Sequence, residues 1–122
     1  MKQKVHSVSY LAKAEFEFKN GVYDLVALPA GAEVVKVSLE IVGNPTAGMV
    51  SVGFKDETTK NYFFTLENIK TDKTNATSAK DYTATSNKVV VAEVKNAPNN
   101  TDGIKGVLRV LYFLPSVIEV EY

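Results

Sequence analysis

Residues 23–37 read Tyr-Asp-Leu-Val-Ala-Leu-Pro-Ala-Gly-Ala-Glu-Val-Val-Lys-Val, and this stretch holds the signals that decide the fold. An apolar strand ends at Pro29, because proline lacks the amide that a sheet ladder needs, and Gly31 permits a sharp bend. From Val35 to Ile41 apolar residues then alternate with polar ones, which is the period of a strand with one buried face. We therefore predict two strands joined by a break that lets the chain cross to a facing sheet.

The same alternation continues on both sides of this stretch. Before it, one face of a long strand is apolar and predicted to point inward: Val8, Tyr10, Ala12, Ala14, Phe16 and Phe18. Lys19-Asn20-Gly21 predicts a tight hairpin turn into a second strand over residues 22–28, since Asn and Gly tolerate positive φ. Further strands are predicted over residues 49–54, 62–66, 83–94, 107–114 and 117–122. In the last of these, Ile118, Val120 and Tyr122 are predicted to point inward.

Two segments lack this alternation and are predicted to be loops, residues 67–82 and residues 96–103. Long irregular loops are usually functional or mobile. Their polar residues are our candidate contacts with a partner: Lys70, Asp72, Lys73, Asn75, Asn99, Asn100 and Asp102.

Seven to nine short strands separated by turns indicate an all-β domain, a sandwich or a small barrel of antiparallel strands. At 122 residues the chain fits one domain, residues 1–122, with no linker and no internal repeat. The strand order does not follow from the sequence.

Residues 107–114 are apolar on both faces of the predicted strand, and residues 62–64 are similar. A strand of this kind is covered on both sides within its domain or by another subunit. A loop folded over the outer face and a second subunit are equally good explanations. The candidate residues of an oligomer interface are Val107, Arg109, Leu111, Phe113, Tyr62 and Phe64.

The composition excludes several classes of partner. Fourteen Lys and Arg balance fourteen Asp and Glu, whereas a nucleic-acid partner normally requires a basic excess. Zero net charge also removes the repulsion that keeps monomers apart, which suits a protein that assembles. There is no cysteine, and no apolar run approaches the ~20 residues of a membrane helix. We expect a soluble product, made in the cytoplasm, without disulfides or a membrane contact.

No constellation of residues predicts catalysis, a metal or a cofactor. His6 is the one histidine, and no strained elbow accompanies any serine, so we interpret His6 as a surface residue. The glutamates at positions 15, 17, 119 and 121 alternate outward as a solvated face rather than as a paired acid and base. The cluster Asn99, Asn100 and Asp102 lacks the calcium-loop spacing and is typical of a turn. We predict that the chain is not an enzyme.

Residues 23–37 also resemble a signature of small virion proteins of tailed bacteriophages, in which a hydrophobic strand leads into L-P-A-G-A and an x-V-x-x-V strand. The continuation is similar, with V-x-V-G-x at residues 50–54 and G-x-L-x-V-x-Y at residues 106–112. The resemblance covers most of the chain from residue 20 onward. Such proteins are described as head decoration, head fibre or minor virion proteins.

The resemblance implies a jelly-roll-like two-sheet sandwich that assembles, often as a trimer, on a capsid lattice. It implies the major capsid protein as the partner, the outer surface of the virion as the location, and stabilisation of the head as the role. It brings no catalytic residues. The alternative is a module of a tail or fibre that binds a host-surface glycan, which would need exposed aromatic rings.

Overall fold

The computed structural model describes residues 2–115 and 117–121, with the side chains of residues 3–115. Within these residues the chain forms eleven β-strands and no helix. In chain order they are β1 (Lys2–His6), β2 (Ser9–Glu17), β3 (Gly21–Leu28), β4 (Glu33–Val42), β5 (Met49–Phe54), β6 (Phe64–Leu66), β7 (Asn75–Ser78), β8 (Tyr82–Thr83), β9 (Lys88–Lys95), β10 (Lys105–Phe113) and β11 (Val117–Glu121).

The strands form two facing sheets and a separate two-stranded ribbon. One sheet has the order β2-β10-β4-β7, with β8 also paired to β4, and the other has the order β3-β9-β5-β6. The strand pairs are antiparallel. Two interleaved paths of four strands in this order make a jelly roll. The predicted all-β, two-sheet sandwich of the jelly-roll type is therefore confirmed.

Residues 18–20 connect the two sheets, so the predicted hairpin between β2 and β3 is wrong. β2 pairs with β10, whereas β3 pairs with β9. Phe18 is fully buried, and its amide donates to the Ile104 carbonyl at 3.3 Å. Burial of this ring turns the chain inward over the end of the core, which prevents β3 from pairing back on β2.

The break at residues 29–32 carries the chain from β3 to β4 in the facing sheet, as predicted. Gly31 has a φ of +89° and donates its amide to the Ala84 carbonyl at 2.6 Å. A Cβ on this residue would lie 2.7 Å from Cβ of Pro115. Only glycine combines this left-handed backbone with so close a neighbour.

A bulge at the start of β4 changes which valine points into the core. Leu111 of β10 pairs with Lys36, but Tyr112 pairs with Val34, so Val35 is the extra residue. Val34 is fully buried and Val35 only half-buried, so the predicted inward position of Val35 is wrong. The later predicted positions on this strand are buried: Val37, Leu39 and Ile41.

The first half of β2 lies outside the core, contrary to the prediction. Phe16 and Phe18 are buried, but Val8 and Tyr10 are 39% and 51% exposed. β2 is the edge strand of its sheet and has a neighbouring strand, β10, on one side only. Side chains on its inward face are therefore covered on that side alone. For Tyr10 that cover is the ring of Tyr112, whose centroid lies 5.9 Å away.

Residues 67–82 were predicted to be irregular, yet they contain β7 and the first residue of β8. β7 lies at the edge of its sheet and pairs with residues 37–40 of β4. An edge strand that buries little of either face needs no apolar alternation, which is why its sequence Asn-Ala-Thr-Ser gives no strand signal. The predicted strand over residues 62–66 is shorter, and that over residues 83–94 is interrupted between β8 and β9.

The core between the sheets is apolar. Among the side chains that the structure describes, Thr101 is the one buried polar residue. The largest fully buried side chains come from both sheets and from the loop that follows β6: Phe18, Leu28, Leu39, Ile69 and Leu108. Acidic and basic side chains are thus confined to the surface of the described region.

The ribbon consists of β1 and β11, in register from Lys2↔Glu121 to His6↔Val117. Residues 117–121 are a strand as predicted, although the directions proposed for side chains 118, 120 and 122 lie outside the described residues. β1 was not predicted. The ribbon extends the β2–β10 pairing, and the Leu114 amide donates to the Val8 carbonyl at 2.8 Å where the two meet.

Candidate interaction surfaces

The two predicted contact loops meet at one end of the sandwich. This loop end consists of residues 18–20, 43–48, 67–74 and 96–104. The Ile69 amide donates to the Gly48 carbonyl at 3.0 Å, and the Ala97 amide donates to Oδ1 of Asn20 at 2.9 Å. All seven candidate contact residues are exposed at or beside this end: Lys70, Asp72, Lys73, Asn75, Asn99, Asn100 and Asp102.

Both loops are internally ordered. Lys70 and Lys73 form a bridge around a turn, in which the Lys73 amide donates to the Lys70 carbonyl at 2.9 Å. In the other loop the Asp102 amide donates to Oδ1 of Asn100 at 3.2 Å, so these residues form the turn that the sequence predicted. Buried Thr101 anchors that turn.

A second surface is the outer face of β10, which we call the β10 face: Val107, Arg109, Leu111 and Phe113. Val107 is only 4% exposed although it lies outside the main core. Its register partners Glu15 and Glu40 flank it on both sides. The other three residues of the face are half-buried.

Arg109 donates from Nη1 to Oε1 of Glu40 at 3.4 Å. Directly across the strand pair from Arg109 lies Lys13, and across from Leu111 lies Leu11, which is 63% exposed. The β10 face thus continues onto β2 as an apolar stripe bordered by cations.

Tyr62 and Phe64, the other two candidate interface residues, lie elsewhere. Phe64 belongs to β6 in the facing sheet. Tyr62 packs in an aromatic cluster, with ring centroids 5.2 Å from Phe54 and 5.3 Å from Tyr82. The Nζ of Lys80 lies 3.9 Å above the Tyr62 ring. The structure therefore does not bring all six candidate interface residues into one surface.

The described residues contain no group of three or more His, Asp or Glu side chains arranged to hold a metal. No helix among them is long and apolar enough to cross a membrane. His6 is half-buried at the root of the ribbon, where its Nδ1 lies 3.0 Å from the Leu114 carbonyl oxygen. The imidazole of His6 therefore has a structural partner in the backbone.

Comparison with known proteins identifies the family. No protein-family model and no curated protein matches the chain. Among solved structures, a chain of the acidic stable capsid structure of Helicobacter pylori bacteriophage KHP30 is 76% identical, with a TM-score of 0.90 and full coverage of both chains. The chain belongs to this family of bacteriophage capsid proteins.

Two more distant capsid structures share the fold of this capsid protein. A chain of the cyanophage Pam1 capsid is 18% identical, with a TM-score of 0.64, and the match covers 88% of this chain and 85% of that one. A chain of the capsid of Ralstonia phage GP4 is 15% identical, with a TM-score of 0.67 and coverage of 92% and 88%. The capsid protein is thus a structural component of a phage particle.

One surface of the capsid protein was missed by sequence reasoning. Val8, Tyr10 and Leu11 are three of the five exposed large hydrophobic residues among those described. They lie close in sequence at the start of β2 but on both of its sides, with Tyr10 beside Tyr112 and Leu11 beside Leu111 of the β10 face. The available signal was the adjacent pair Tyr10-Leu11, because neighbouring residues of a strand point to opposite faces and one of them had to face outward.

One ion pair fixes the loop after β5 to the start of β9. The Nζ of Lys88 donates to Oδ2 of Asp56 at 2.5 Å. This hydrogen bond lowers the pKa of Asp56 and raises the pKa of Lys88. The pair lies on the ribbon side of the molecule, near the aromatic cluster.

Proposed function

We propose that this capsid protein is a decoration protein that binds the outer surface of the phage head, as a homotrimer, and stabilises the shell. Its partner is the major capsid protein, and no catalytic step is involved. The observation that carries the proposal is full-length identity of 76% to a chain of a phage capsid structure, in a chain that is one closed sandwich.

The loop end supports this role as the surface that contacts the shell. It presents both cations and carboxylates, for example Lys70, Lys73 and Asp72, and it includes a cleft of about 530 Å³ between residues 46–49 and 67–70. A rim of this polarity is typical of interfaces between proteins that fold separately and then associate. Because its loops are ordered by their own hydrogen bonds, little conformational entropy is lost on binding.

The β10 face supports self-association. Leu111 and Phe113 are half-buried and continuous with exposed Leu11. A second copy packed on this stripe would remove it from water, at about 25 cal/mol per Å² of apolar surface.

Binding of this kind stabilises a shell by mass action. A protein that bridges neighbouring capsomers binds the intact lattice and not the separated subunits. The free energy of its binding must then be overcome before the shell opens. A bridging position also explains the need for two surfaces, one toward the shell and one toward other copies.

The test is co-sedimentation with capsids from which this protein is missing. Purified wild-type protein should pellet with those capsids and raise the temperature at which they release DNA. The triple variant K70A/D72A/K73A should lose most of this binding. The matched control K55A/D56A/K60A, after β5, removes the same number of charges of each sign and should bind like wild type.

Loss of binding in both variants, or in neither, would exclude the loop end as the contact surface. Failure of the wild-type protein to pellet with capsids would refute the decoration role. A glycan array would then test the alternative of a tail or fibre module. That alternative would rely on the exposed ring of Tyr10, because the rings of Tyr62 and Tyr82 pack against each other and Lys80 covers Tyr62.

A further inference from the structure

β2 presents a long free edge along one side of the sandwich. It spans Ser9–Glu17, and among the described residues its one strand partner is β10. Beyond its two ends, the Leu114 amide donates to the Val8 carbonyl and the Phe18 amide donates to the Ile104 carbonyl. Because backbone groups of an antiparallel pair alternate in direction, the even-numbered residues between these two bonds are the ones that bond to β10.

The odd-numbered residues of β2 consequently direct their backbone amides and carbonyls toward the free edge. One of these groups is satisfied within the chain, because the Glu17 carbonyl accepts from the Lys19 amide at 2.9 Å. A row of this kind is a template for a further strand, although charged side chains on an edge can prevent such pairing. The arrangement of Lys13 and Glu15 therefore decides which strand the edge can accept.

The two ends of β2 have complementary surfaces. At its start, Tyr10 and Leu11 are 51% and 63% exposed. At its end, an open cleft of about 660 Å³ lies between β2 and β3, and the stacked rings of Phe16 and Tyr23 line it. A second copy whose β2 runs antiparallel to the first brings the apolar start of each strand to the cleft of the other.

One register of such a pair satisfies the side chains of both copies. A two-fold axis at Ala14, perpendicular to the sheet, keeps outward side chains on the outer face and places Lys13 of each copy opposite Glu15 of the other. On the inward side it places Ala12 opposite Phe16, a small residue beside a large one. Opposite charges in this position stabilise a strand pair. An axis at Lys13 would instead set two lysines against each other.

Lys13 gains most from this register. Within its own chain it lies directly across from Arg109, and like charges in that position are destabilising. Arg109 is itself paired with Glu40 at 3.4 Å. Glu15 accepts from Nζ of Lys105 with one carboxylate oxygen, at 3.1 Å, so its other oxygen can accept from Lys13 of the second copy.

We propose that two copies pair along β2, antiparallel about a two-fold axis at Ala14, so that one sheet continues through both molecules. The path β2-β10-β4-β7 of each copy contributes four strands, and the shared sheet therefore has eight. The contact is isologous, so pairing leaves no β2 edge for further strands. It lies beside the β10 face and does not cover it. It thus goes beyond the homotrimer of the proposed function and can join one trimer to the next.

The experiment introduces single cysteines into a chain that has none. In the proposed register the two Ala14 residues form a non-hydrogen-bonded pair with Cα atoms about 4.5 Å apart, which suits a disulfide. The matched control is A12C, because both alanines are half-buried on the same side of β2 but Ala12 lies opposite Phe16. At about 0.1 mM protein under mild oxidation, A14C should crosslink roughly tenfold faster than A12C, since paired thiols react at an effective concentration in the mM range.

Charge variants test the register in the same background. K13E/A14C sets carboxylates against each other in its own pair, and A14C/E15K sets ammonium groups against each other. Each alone should therefore crosslink about as slowly as A12C. A mixture of the two restores a cation opposite an anion at both positions, so mixed disulfide dimers should form about as fast as A14C dimers. Intact mass spectrometry distinguishes the mixed dimers from the pure ones.

Equal crosslinking of A14C and A12C would overturn the β2 pairing. A mixture that crosslinks no faster than either charge variant alone would overturn it too, because an effect within one chain cannot be rescued by a second chain. Co-sedimentation with capsids is measured separately on the wild-type protein. Loss of the β2 contact and loss of the decoration role are therefore distinguishable.

Hydrogen exchange on the wild-type protein gives a second test, which decides the matter if a variant fails to fold. The amides of Leu11, Lys13 and Glu15 should exchange slowly in concentrated protein and faster on dilution, because only the second copy protects them. The amides of Ala12 and Ala14 bond to β10 and should stay protected at every concentration. Rapid exchange at the odd-numbered positions in concentrated protein would contradict the pairing.

Discussion

The backbone of residues 60–62 crosses β5 at Gly53, where a Cβ would lie 2.7 Å from the amide nitrogens of Asn61 and Tyr62. Gly106 on β10 is also crowded, but its nearest neighbour is the ring of Phe16. A ring can rotate or shift, whereas the backbone of residues 60–62 is held in place by the next residue, because the Phe63 amide donates to the Val52 carbonyl at 2.9 Å. Sequence reasoning placed Gly53 within a predicted strand and Gly106 directly before one, but it gave no sign of what packs against them.

We expect Gly53→Ala to destabilise the protein by more than the ~1–3 kcal/mol that is usual for an overpacked core. Gly106→Ala should cost less, and part of its loss should be recovered in the double variant G106A/F16L. Denaturation by urea with far-ultraviolet circular dichroism measures each free energy of unfolding. Equal losses in the two single variants would contradict the difference between backbone and ring.

The Asp56–Lys88 pair predicts a pH dependence. The pKa of Asp56 is lowered in the folded protein, so its contribution to stability is present above the unfolded value of about 3.9 and is lost as the pH falls through the folded value. The pKa of Lys88 is raised, so its contribution is present below about 10.4 and is lost above the folded value.

Asp56→Asn should therefore lower the melting temperature at pH 7, and this difference from wild type should be smaller at pH 3, below the unfolded pKa of about 3.9. The control Asp81→Asn changes an exposed carboxylate that forms no ion pair with another described side chain. Thermal melts at both pH values give the result. A difference of the same size in acid would show that the asparagine harms the fold by some means other than charge.

At the scale of strands, the sequence predicted those strands whose own residues show an apolar pattern. β4 and β5 were located because each buries one face and so alternates, whereas β10 was located as a run that is apolar on both faces. β7 was missed because it is a polar edge strand, and β1 because it pairs outside the sandwich. The bulge at Val35 was not predictable either, since it depends on the register with β10.

The candidate surfaces divide in the same way. The two contact loops were recognisable from their composition, but their meeting at one end follows from the strand order, which no local pattern encodes. Tyr62 was grouped with the β10 residues because it is equally apolar. The rings that actually surround it belong to Phe54 on β5 and Tyr82 on β8. These residues are far apart in sequence, so no local pattern predicts that they meet.

The β10 face gives a prediction for a single element. Leu111→Asp or Phe113→Asp should dissociate the oligomer, because a carboxylate buried without a partner in an interface costs several kcal/mol. Both residues are only half-buried within one chain, so each chain should stay folded. Light scattering after size exclusion measures the mass, and circular dichroism the fold.

The control is Thr77→Asp, at an exposed position of edge strand β7. It should leave the mass unchanged. An unchanged mass in the Leu111 and Phe113 variants, or unfolding of the single chain, would remove the β10 face from the interface.

At the scale of the whole molecule, the core formed by the described side chains contains no carboxylate, ammonium, guanidinium or imidazole group. Acid should therefore weaken the ion pairs of the surface while the side-chain packing of the core stays intact. In acid the fourteen Lys and Arg are no longer balanced by negative charge, and the resulting self-repulsion should lower the melting temperature.

We nevertheless expect a single cooperative unfolding transition at pH 3, with the near-ultraviolet circular dichroism of the folded state retained. Fixed tyrosine rings in the core and in the aromatic cluster give that signal. Loss of the near-ultraviolet signal with strand content preserved would indicate a molten globule and would contradict an acid-resistant interior.

The interleaved strand order also determines how late each strand of the nascent chain can pair. β2 has no sheet partner until β10 has been made, and β3 has none until β9 has been made. At a translation rate of about 5–20 residues per second, β2 waits for roughly 5 to 20 s. During that interval two edge strands with apolar faces are exposed to every neighbouring nascent copy. Slow synthesis or crowded polysomes should thus reduce the yield of folded protein before any capsid is present.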